Sequence, residues 1–197
     1  MRKNITGGSP YEPIIGFSRA VRVGNTVHLA GTGPVGADNE DAEGQTRRIF
    51  SIAEKALADA GASFYIHCGD IGSPRCIDLL AGLKCAFVFG NTDYERHSLA
   101  RYAQSIDVAC FNNYADLTLD SKRIAVVHGD DFKLKQRVLA AQEHDYLLQG
   151  HTHVRTDEKI GRTRLINPGA LHRAAQKTVA TLDLASHLLQ FHIVATT

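Results

Sequence analysis

No apolar stretch in the chain approaches the run of about 18 residues that a membrane-spanning helix requires. The amino-terminal Met1-Arg2-Lys3-Asn4 runs into glycine and proline, not into the apolar centre of a secretory signal. These two absences lead us to expect a cytoplasmic protein with no membrane partner. A C-x-x-C pair is also missing. The four cysteines are Cys68, Cys76, Cys85 and Cys110, and three of them sit in or beside apolar runs, as buried free thiols of a reducing compartment do. Nor is there an excess of charge: 22 Lys and Arg against 21 Asp and Glu leave +1, no footprint for a nucleic-acid backbone. Linkers, repeats and low-complexity segments are absent. What remains is a 197-residue chain, 44% hydrophobic, long enough for one domain over residues 1–197 with a substantial core.

The first third reads as strands and one helix. Val21-Arg22-Val23 and Thr26-Val27-His28-Leu29-Ala30 flank Gly24-Asn25, a pair suited to the turn of a hairpin. A helix is predicted from Asp41 to Gly61, with Ile49, Ile52, Ala53, Ala56, Leu57 and Ala60 forming one buried stripe. From Phe64 the texture changes to alternating strands and helices. Strands are predicted over 64–66, 85–89, 145–149, 163–166, 179–184 and 188–194, and a hairpin joins 116–120 to 123–127. Helices are predicted over 73–82, where Ser73-Pro74 opens the element, 95–104 and 132–142. Such alternation predicts an α/β sheet with its chemistry beyond the carboxyl ends of the strands.

Four short segments occupy those ends: His67-Cys68-Gly69-Asp70, Gly90-Asn91-Thr92-Asp93, His128-Gly129-Asp130 and Gly150-His151-Thr152-His153. Asp70 offers a carboxylate able to bridge two cations, Asn91 a neutral carbonyl oxygen, and His128 an imidazole at a strand tip. His151 and His153, two apart, point to one side if the chain there is extended. Mixed imidazole and oxygen ligation suits Mn, Fe, Ni or Zn better than Mg or Ca. Two such ions about 3.5–4 Å apart clamp a phosphoryl group and acidify a bound water. Taken singly, each residue also has an ordinary reading. Asp70 suits a turn, Thr92 or Asp93 a helix cap, and His128 a structural hydrogen bond. The joint pattern favours a metal site. His28, His97, His144, His187 and His192 lack partners of this kind and are expected at surfaces or edges. Both readings stay open for His67 and His172, which flank the proposed site.

Residues 64–197 resemble the calcineurin-like metallophosphoesterases, in particular the small bacterial phosphodiesterases. The resemblance rests on His67-Cys68-Gly69-Asp70-Ile71-Gly72, Gly90-Asn91-x-Asp93, Val127-His128-Gly129-Asp130, Gly150-His151-Thr152-His153 and Asn167-Pro168-Gly169-Ala170. It implies an α/β fold of two packed β-sheets flanked by helices. Asp70 would then bridge both metals, Asn91, His128 and His151 would complete the second, and His153 would serve the first. Asp70, Asn91 and His128 make up the implied catalytic set. Thr92 stands where larger phosphatases carry a histidine, which points to phosphodiesters as substrates.

The family also opens with a strand ending in Asp-x-His, and nothing before Asp70 matches it. Residues 1–63 instead resemble the first half of the YjgF/RidA family, through Arg2-Lys3-Asn4, Gly8-Ser9-Pro10-Tyr11, Gly16-Phe17-Ser18-Arg19-Ala20 and Val27-His28-Leu29-Ala30-Gly31-Thr32. That family forms trimers that deaminate reactive enamines or imines, with key residues in a second half this chain lacks. The RidA-like segment is expected to supply the first strand, 26–30, and the first helix of the phosphoesterase fold. Gly31-Thr32-Gly33 then replaces Asp-x-His. The expected result is one tight metal site and a second that is weak or empty. The reading is a metal-dependent phosphodiesterase acting on a small phosphodiester, with the replacement of Asp-x-His expected to impair it and Arg19 one candidate for a phosphate contact. Its alternatives are a degenerate binding scaffold and a RidA-like oligomer.

Overall fold

A computed structural model describes residues 2–6, 12–15, 20–23, 26–29, 39–40, 61–171 and 174–193, together with Gly44, Arg48 and Ser51. The chain divides into two compact units, Phe64–Ala170 and a second built from Met1–Ser63 with Leu171–Thr197.

The Phe64–Ala170 unit holds two sheets. In the first, β4 (Tyr65–His67), β5 (Cys85–Phe87) and β6 (Ala109–Cys110) run parallel in that order. Parallel strands need crossovers, and the helices α2 (Pro74–Asp78) and α3 (Arg96–Ser105) lie in them. Phe87 and Phe89 are buried and meet edge to face at 5.4 Å, against Ile71, Ile77, Leu99, Ala103 and Val108. Each large side chain so buried contributes about 1.5–3 kcal/mol.

The second sheet has the order β10-β11-β9-β8-β7. Its centre is parallel: β8 (Lys122–Val127), β9 (Tyr146–Leu148) and β11 (Thr163–Asn167). Antiparallel edges are added by β7 (Tyr114–Leu119) and β10 (Thr156–Ile160). The run Ile124-Ala125-Val126-Val127 is buried throughout, as a central strand covered on both faces must be. Helix α4 (Phe132–Ala141) packs Val138 and Leu139 on Ala125, Val127, Leu147 and Leu165. Its N-cap Asp131 accepts a hydrogen bond from the Leu134 N–H at 2.9 Å.

The other unit contains β1 (Arg2–Ile5), β2 (Ala20–Val23) and β3 (Thr26–Leu29) in an antiparallel sheet, a short helix α1 (Glu12–Ile15), and the hairpin β12 (Thr178–Leu182) with β13 (Leu189–Ile193). The expected hairpin across residues 24–25 is present as β2–β3. The described ladder of β3 is with β2, and that of β4 is with β5. Of the predicted helix 41–61, Gly44, Arg48 and Ser51 are helical and Gly61 is a turn residue; its other positions, like Gly31-Thr32-Gly33, lie outside the described residues.

Three differences from the sequence reading follow, the first two with plain causes. Strand β10 carries no strand pattern in sequence because Asp157, Glu158 and Lys159 are its exposed centre, on a sheet edge that needs no apolar alternation. The hairpin turn falls on Asp120-Ser121, both at positive φ (45° and 61°), not on Ser121-Lys122, because that conformation matches strand twist. Helix α2 stops at Asp78, well short of Gly82.

Candidate metal centre

The carboxyl ends of β4, β5, β8 and β9 deliver the four motif segments. Glycines let them interlock. Gly69 has φ +97°, and a Cβ there would lie 2.5 Å from His128 Nδ1 and 2.8 Å from its Cγ. At Gly90 a Cβ would strike the Asp70 carboxylate and stand 2.6 Å from the Asp70 backbone N. At Gly150 it would stand 2.9 Å from the Cys68 carbonyl oxygen. Each loop therefore presses on a side chain or backbone of the next. Asp70, His151 and His153 themselves sit at φ 59°, 63° and 58°, a conformation rare for non-glycine residues and enriched where a site dictates backbone shape.

The polar atoms converge. Asn91 Oδ1 lies 3.2 Å from His128 Nε2 and 3.1 Å from His151 Nδ1. The two ring nitrogens are 3.3 Å apart, and Asp70 Oδ2 is 3.4 Å from His128 Nε2. On its far side, His128 Nδ1 donates to the Cys68 carbonyl at 2.7 Å. A carbonyl can only accept, so the Nδ1 position carries the proton, and in the neutral ring Nε2 presents a lone pair. That lone pair faces a carboxylate oxygen, a carboxamide oxygen and a second imidazole nitrogen. A proton between them relieves one pair of the four atoms; a metal ion accepts all four.

The spacing agrees with this. Ligand atoms about 2.1 Å from one ion lie about 3.0 Å apart at octahedral right angles and about 3.4 Å apart on a tetrahedron. Among the described residues no group of three or more His, Cys, Asp or Glu side chains forms a ready-made metal cage. The carboxamide of Asn91 is what completes the set, as the atom nearest both imidazoles.

Burial works against an ionised Asp70, but Thr92 and the two imidazoles together outweigh it. The Thr92 backbone N–H donates to Asp70 Oδ1 at 3.1 Å, and with the nearby imidazoles it holds the carboxyl below its ordinary range. Burial pushes the Cys68 thiol up to about 12, which leaves it a structural, unreactive group. Burial likewise lowers His67, whose Nδ1 is enclosed without a hydrogen-bond partner.

Three further side chains set the loops. Asp93, 2% exposed, accepts from the backbone N–H groups of Gly90 at 2.7 Å, Gly72 at 2.7 Å and Ile71 at 3.3 Å. It ties the Asp70 loop to the Asn91 turn instead of capping α3, whose N-cap position is Glu95 with no side-chain bond. Arg96 Nη2 donates to the Gly90 carbonyl at 2.7 Å. Asn167, fully buried, donates through Nδ2 to the Gly150 carbonyl at 2.7 Å and to Thr152 Oγ1 at 3.0 Å. Asn167 was visible within the Asn-Pro-Gly-Ala motif. Asp93 stands in the Gly90-Asn91-x-Asp93 motif, but the clamping roles of Asp93 and Arg96 had no signal, because most of their partners are backbone atoms, which residue types do not distinguish.

The structure brings Asp70, Asn91, His128 and His151 into one cluster. His153 follows two residues later on the same turn. The expectation that His151 and His153 share a side by strand alternation is corrected: both lie in left-handed backbone, and Thr152 N–H closes a turn onto the Gly150 carbonyl at 2.8 Å. His144 and His192, expected at surfaces or edges, are 3% and 4% exposed. His144 Nε2 lies 3.2 Å from the Tyr114 hydroxyl, and His192 Nε2 lies 2.7 Å from Thr181 Oγ1, so both are hydrogen-bonded interior groups. Cys76 is exposed on α2, while all four thiols are free. Arg19 and His172 lie outside the described residues.

Two sheets with mixed ladders, a few flanking helices and a carboxylate–carboxamide–imidazole cluster at strand ends define a mixed α/β phosphoesterase architecture. The chain belongs to the calcineurin-like phosphoesterase superfamily, whose domain matches residues 45–187. That match starts ahead of residue 64, where the motif resemblance begins. In fold it is similar to a novel archaeal phosphodiesterase, with 22% identity, a TM-score of 0.67, and 74% of this chain and 92% of that one covered. It is also similar to YfcE, a phosphoesterase from E. coli, with 17% identity, a TM-score of 0.51, and coverage of 75% and 92%. No curated protein matches the sequence. Among the described residues no helix is long and apolar enough to cross a membrane.

Proposed function

We propose that this protein is a metal-dependent phosphodiesterase that uses Asp70, Asn91, His128 and His151 to hold a divalent cation, with His153 serving a second ion or the substrate. The observation that carries this is the lone pair of His128 Nε2, turned by the Cys68 carbonyl toward three other electron-rich atoms within 3.4 Å. Two imidazoles with two oxygens favour Mn, Fe, Ni or Zn. Such an ion would supply Lewis acidity toward a phosphoryl oxygen and a lowered pKa for water at the site.

The chain's own residues do the rest. The Cys68 carbonyl fixes the His128 tautomer and ring plane, as outer partners of ligating histidines do. Asp93 and Asn167 hold the Asn91 and His151 turns, so the ligands are oriented before any ion arrives. Thr92, with the nearby imidazoles, holds the Asp70 carboxyl below its ordinary value against the pull of burial. Thr92 also stands where a phosphomonoesterase would carry an imidazole, which favours a diester, and an archaeal phosphodiesterase has a similar fold.

The finer readings belong to the same proposal. Gly31 and Gly33 at the positions of Asp-x-His leave one tight site and one weak or empty site. Residues 1–63 are a RidA-like segment in a hybrid chain, and the setting is cytoplasmic, consistent with four free thiols.

The test is metal analysis of protein purified without chelator, together with hydrolysis of bis(p-nitrophenyl) phosphate under Mn. Turnover that is lost in Asp70→Asn is the expected result. Bound metal without turnover under any cation would indicate the scaffold instead.

A further inference from the structure

A cleft of about 500 Å³ opens in the Phe64–Ala170 unit, lined by Arg96, His97, Phe111, Asn112, Asn113 and Tyr114. Its volume suits an organic group larger than a phosphate, since small-molecule sites run from about 300 to 1,000 Å³. Its position ties it to the ligand loops. The Phe89 N–H bonds the Asn112 carbonyl at 2.5 Å, so the cleft floor runs beside the strand extension that ends in Gly90-Asn91. Arg96 spans the two: Nη1 donates to Asn113 Oδ1 at 2.7 Å, Nε to the Asp93 carbonyl at 3.1 Å, and Nη2 to the Gly90 carbonyl at 2.7 Å. Three of its five N–H groups are thereby committed, which makes Arg96 a wall and not a free phosphate anchor.

The lining combines flat rings with hydrogen-bonding edges. Phe111 is 37% exposed, and Asn112 and Asn113 are exposed carboxamides beside it. A second observation points the same way. The other large apolar side chains left exposed among the described residues of this unit each trail a ligand segment. Tyr94 follows Asn91 by three positions, Phe132 follows His128 by four, and Val154 directly follows His153. In sequence each of the three therefore adjoins a loop that carries ligand atoms, where an organic substituent of a bound substrate would cover it.

Resting on the phosphodiesterase reading, we propose that the Phe111–Asn113 cleft is the subsite for one ester group of the substrate, and that this group is a nucleobase-like ring: flat, aromatic and bearing hydrogen-bonding edges. Phe111 offers a stacking face, which every base can use, and the two carboxamides present both donors and acceptors to a base edge.

Two diesters with one leaving group test it under Mn: thymidine 5′-(p-nitrophenyl phosphate) and methyl p-nitrophenyl phosphate. The thymidine ester should show kcat/KM at least about tenfold higher. Phe111→Ala should lower that preference about fivefold or more, and Phe111→Tyr should keep it. Equal kcat/KM for the two esters, or a preference untouched by Phe111→Ala, overturns the subsite and leaves the phosphodiesterase reading standing. If neither ester is hydrolysed with any metal, that reading fails instead. The subsite is then judged by saturation-transfer NMR of thymidine 5′-monophosphate with the full chain in EDTA. Transfer to the base protons that weakens in Phe111→Ala upholds it, and no transfer overturns it.

Discussion

The Nδ1–H of His128 donates to the carbonyl of Cys68, 2.7 Å away and sixty residues earlier in the chain. Both atoms are enclosed, and Gly69 and Gly150 have no side chains to separate them. The bond fixes which nitrogen of His128 faces the cluster, and with it the number of lone pairs that meet there. The metal proposal depends on that count more than on any single residue type.

Replacing Gly69 by alanine puts a Cβ against the His128 ring in a backbone at φ +97°. Strain of this kind costs of order 1–3 kcal/mol before the clash is counted. We expect a fall of at least about 2 kcal/mol in urea-melt stability and a displaced imidazole, seen as loss of Mn binding by calorimetry. Wild-type stability and affinity in this variant would show that the loops do not interlock as described.

Asn167→Ala removes one of the two donors to the half-buried Gly150 carbonyl, which keeps the Thr152 N–H, while touching none of the four ligand atoms. A neutral hydrogen bond so lost costs about 0.5–1.5 kcal/mol. Loss of a group that orients a ligand lowers metal affinity by about 10–100-fold. Titration with Mn should show that drop in a protein that still melts cooperatively. Unchanged affinity argues against the His151 turn as part of the centre.

Asp93→Ala removes one acceptor from three backbone N–H groups. Hydrogen bonds to a charged group contribute about 1.5–3 kcal/mol each, so a loss of about 3 kcal/mol or more is expected. Asp93→Asn, which keeps an acceptor oxygen, should recover part of it. Equal destabilisation in both variants would assign the effect to charge, not to the hydrogen bonds.

Asp70 bears on pH as well. Its folded-state carboxyl is held below the ordinary carboxylate value, mainly by Thr92 working against burial. A depressed acid contributes stability that is fully present above its unfolded pKa, about 3.9, and lost as pH falls through the folded value. In chelated protein, wild type and Asp70→Asn should therefore differ at pH 6 and converge below about pH 4. Thermal melts across that range check it, and a gap that widens toward acid would reverse the sign and refute the assignment.

Much of this was legible in the chain itself. The apolar runs before His67, Gly90, His128 and Gly150 marked strands whose ends had to carry the chemistry, since a strand covered on both faces has no other place for an imidazole or carboxylate. Residue types and their order named Asp70, Asn91, His128 and His151 as a set. Elements defined by exposure, such as β10, carried no pattern, and the burial of His144 and His192 depends on neighbours far away in sequence. Tertiary structure alone decided which atoms face which. The Cys68 carbonyl chooses the His128 tautomer, Asp93 spends its carboxylate on backbone and not on a cap, and the left-handed turn at His151 and His153 replaces the extended geometry that spacing suggested. The first two are contacts to backbone groups that every residue carries and the third is a local backbone conformation, and a one-dimensional string does not distinguish one backbone amide from another.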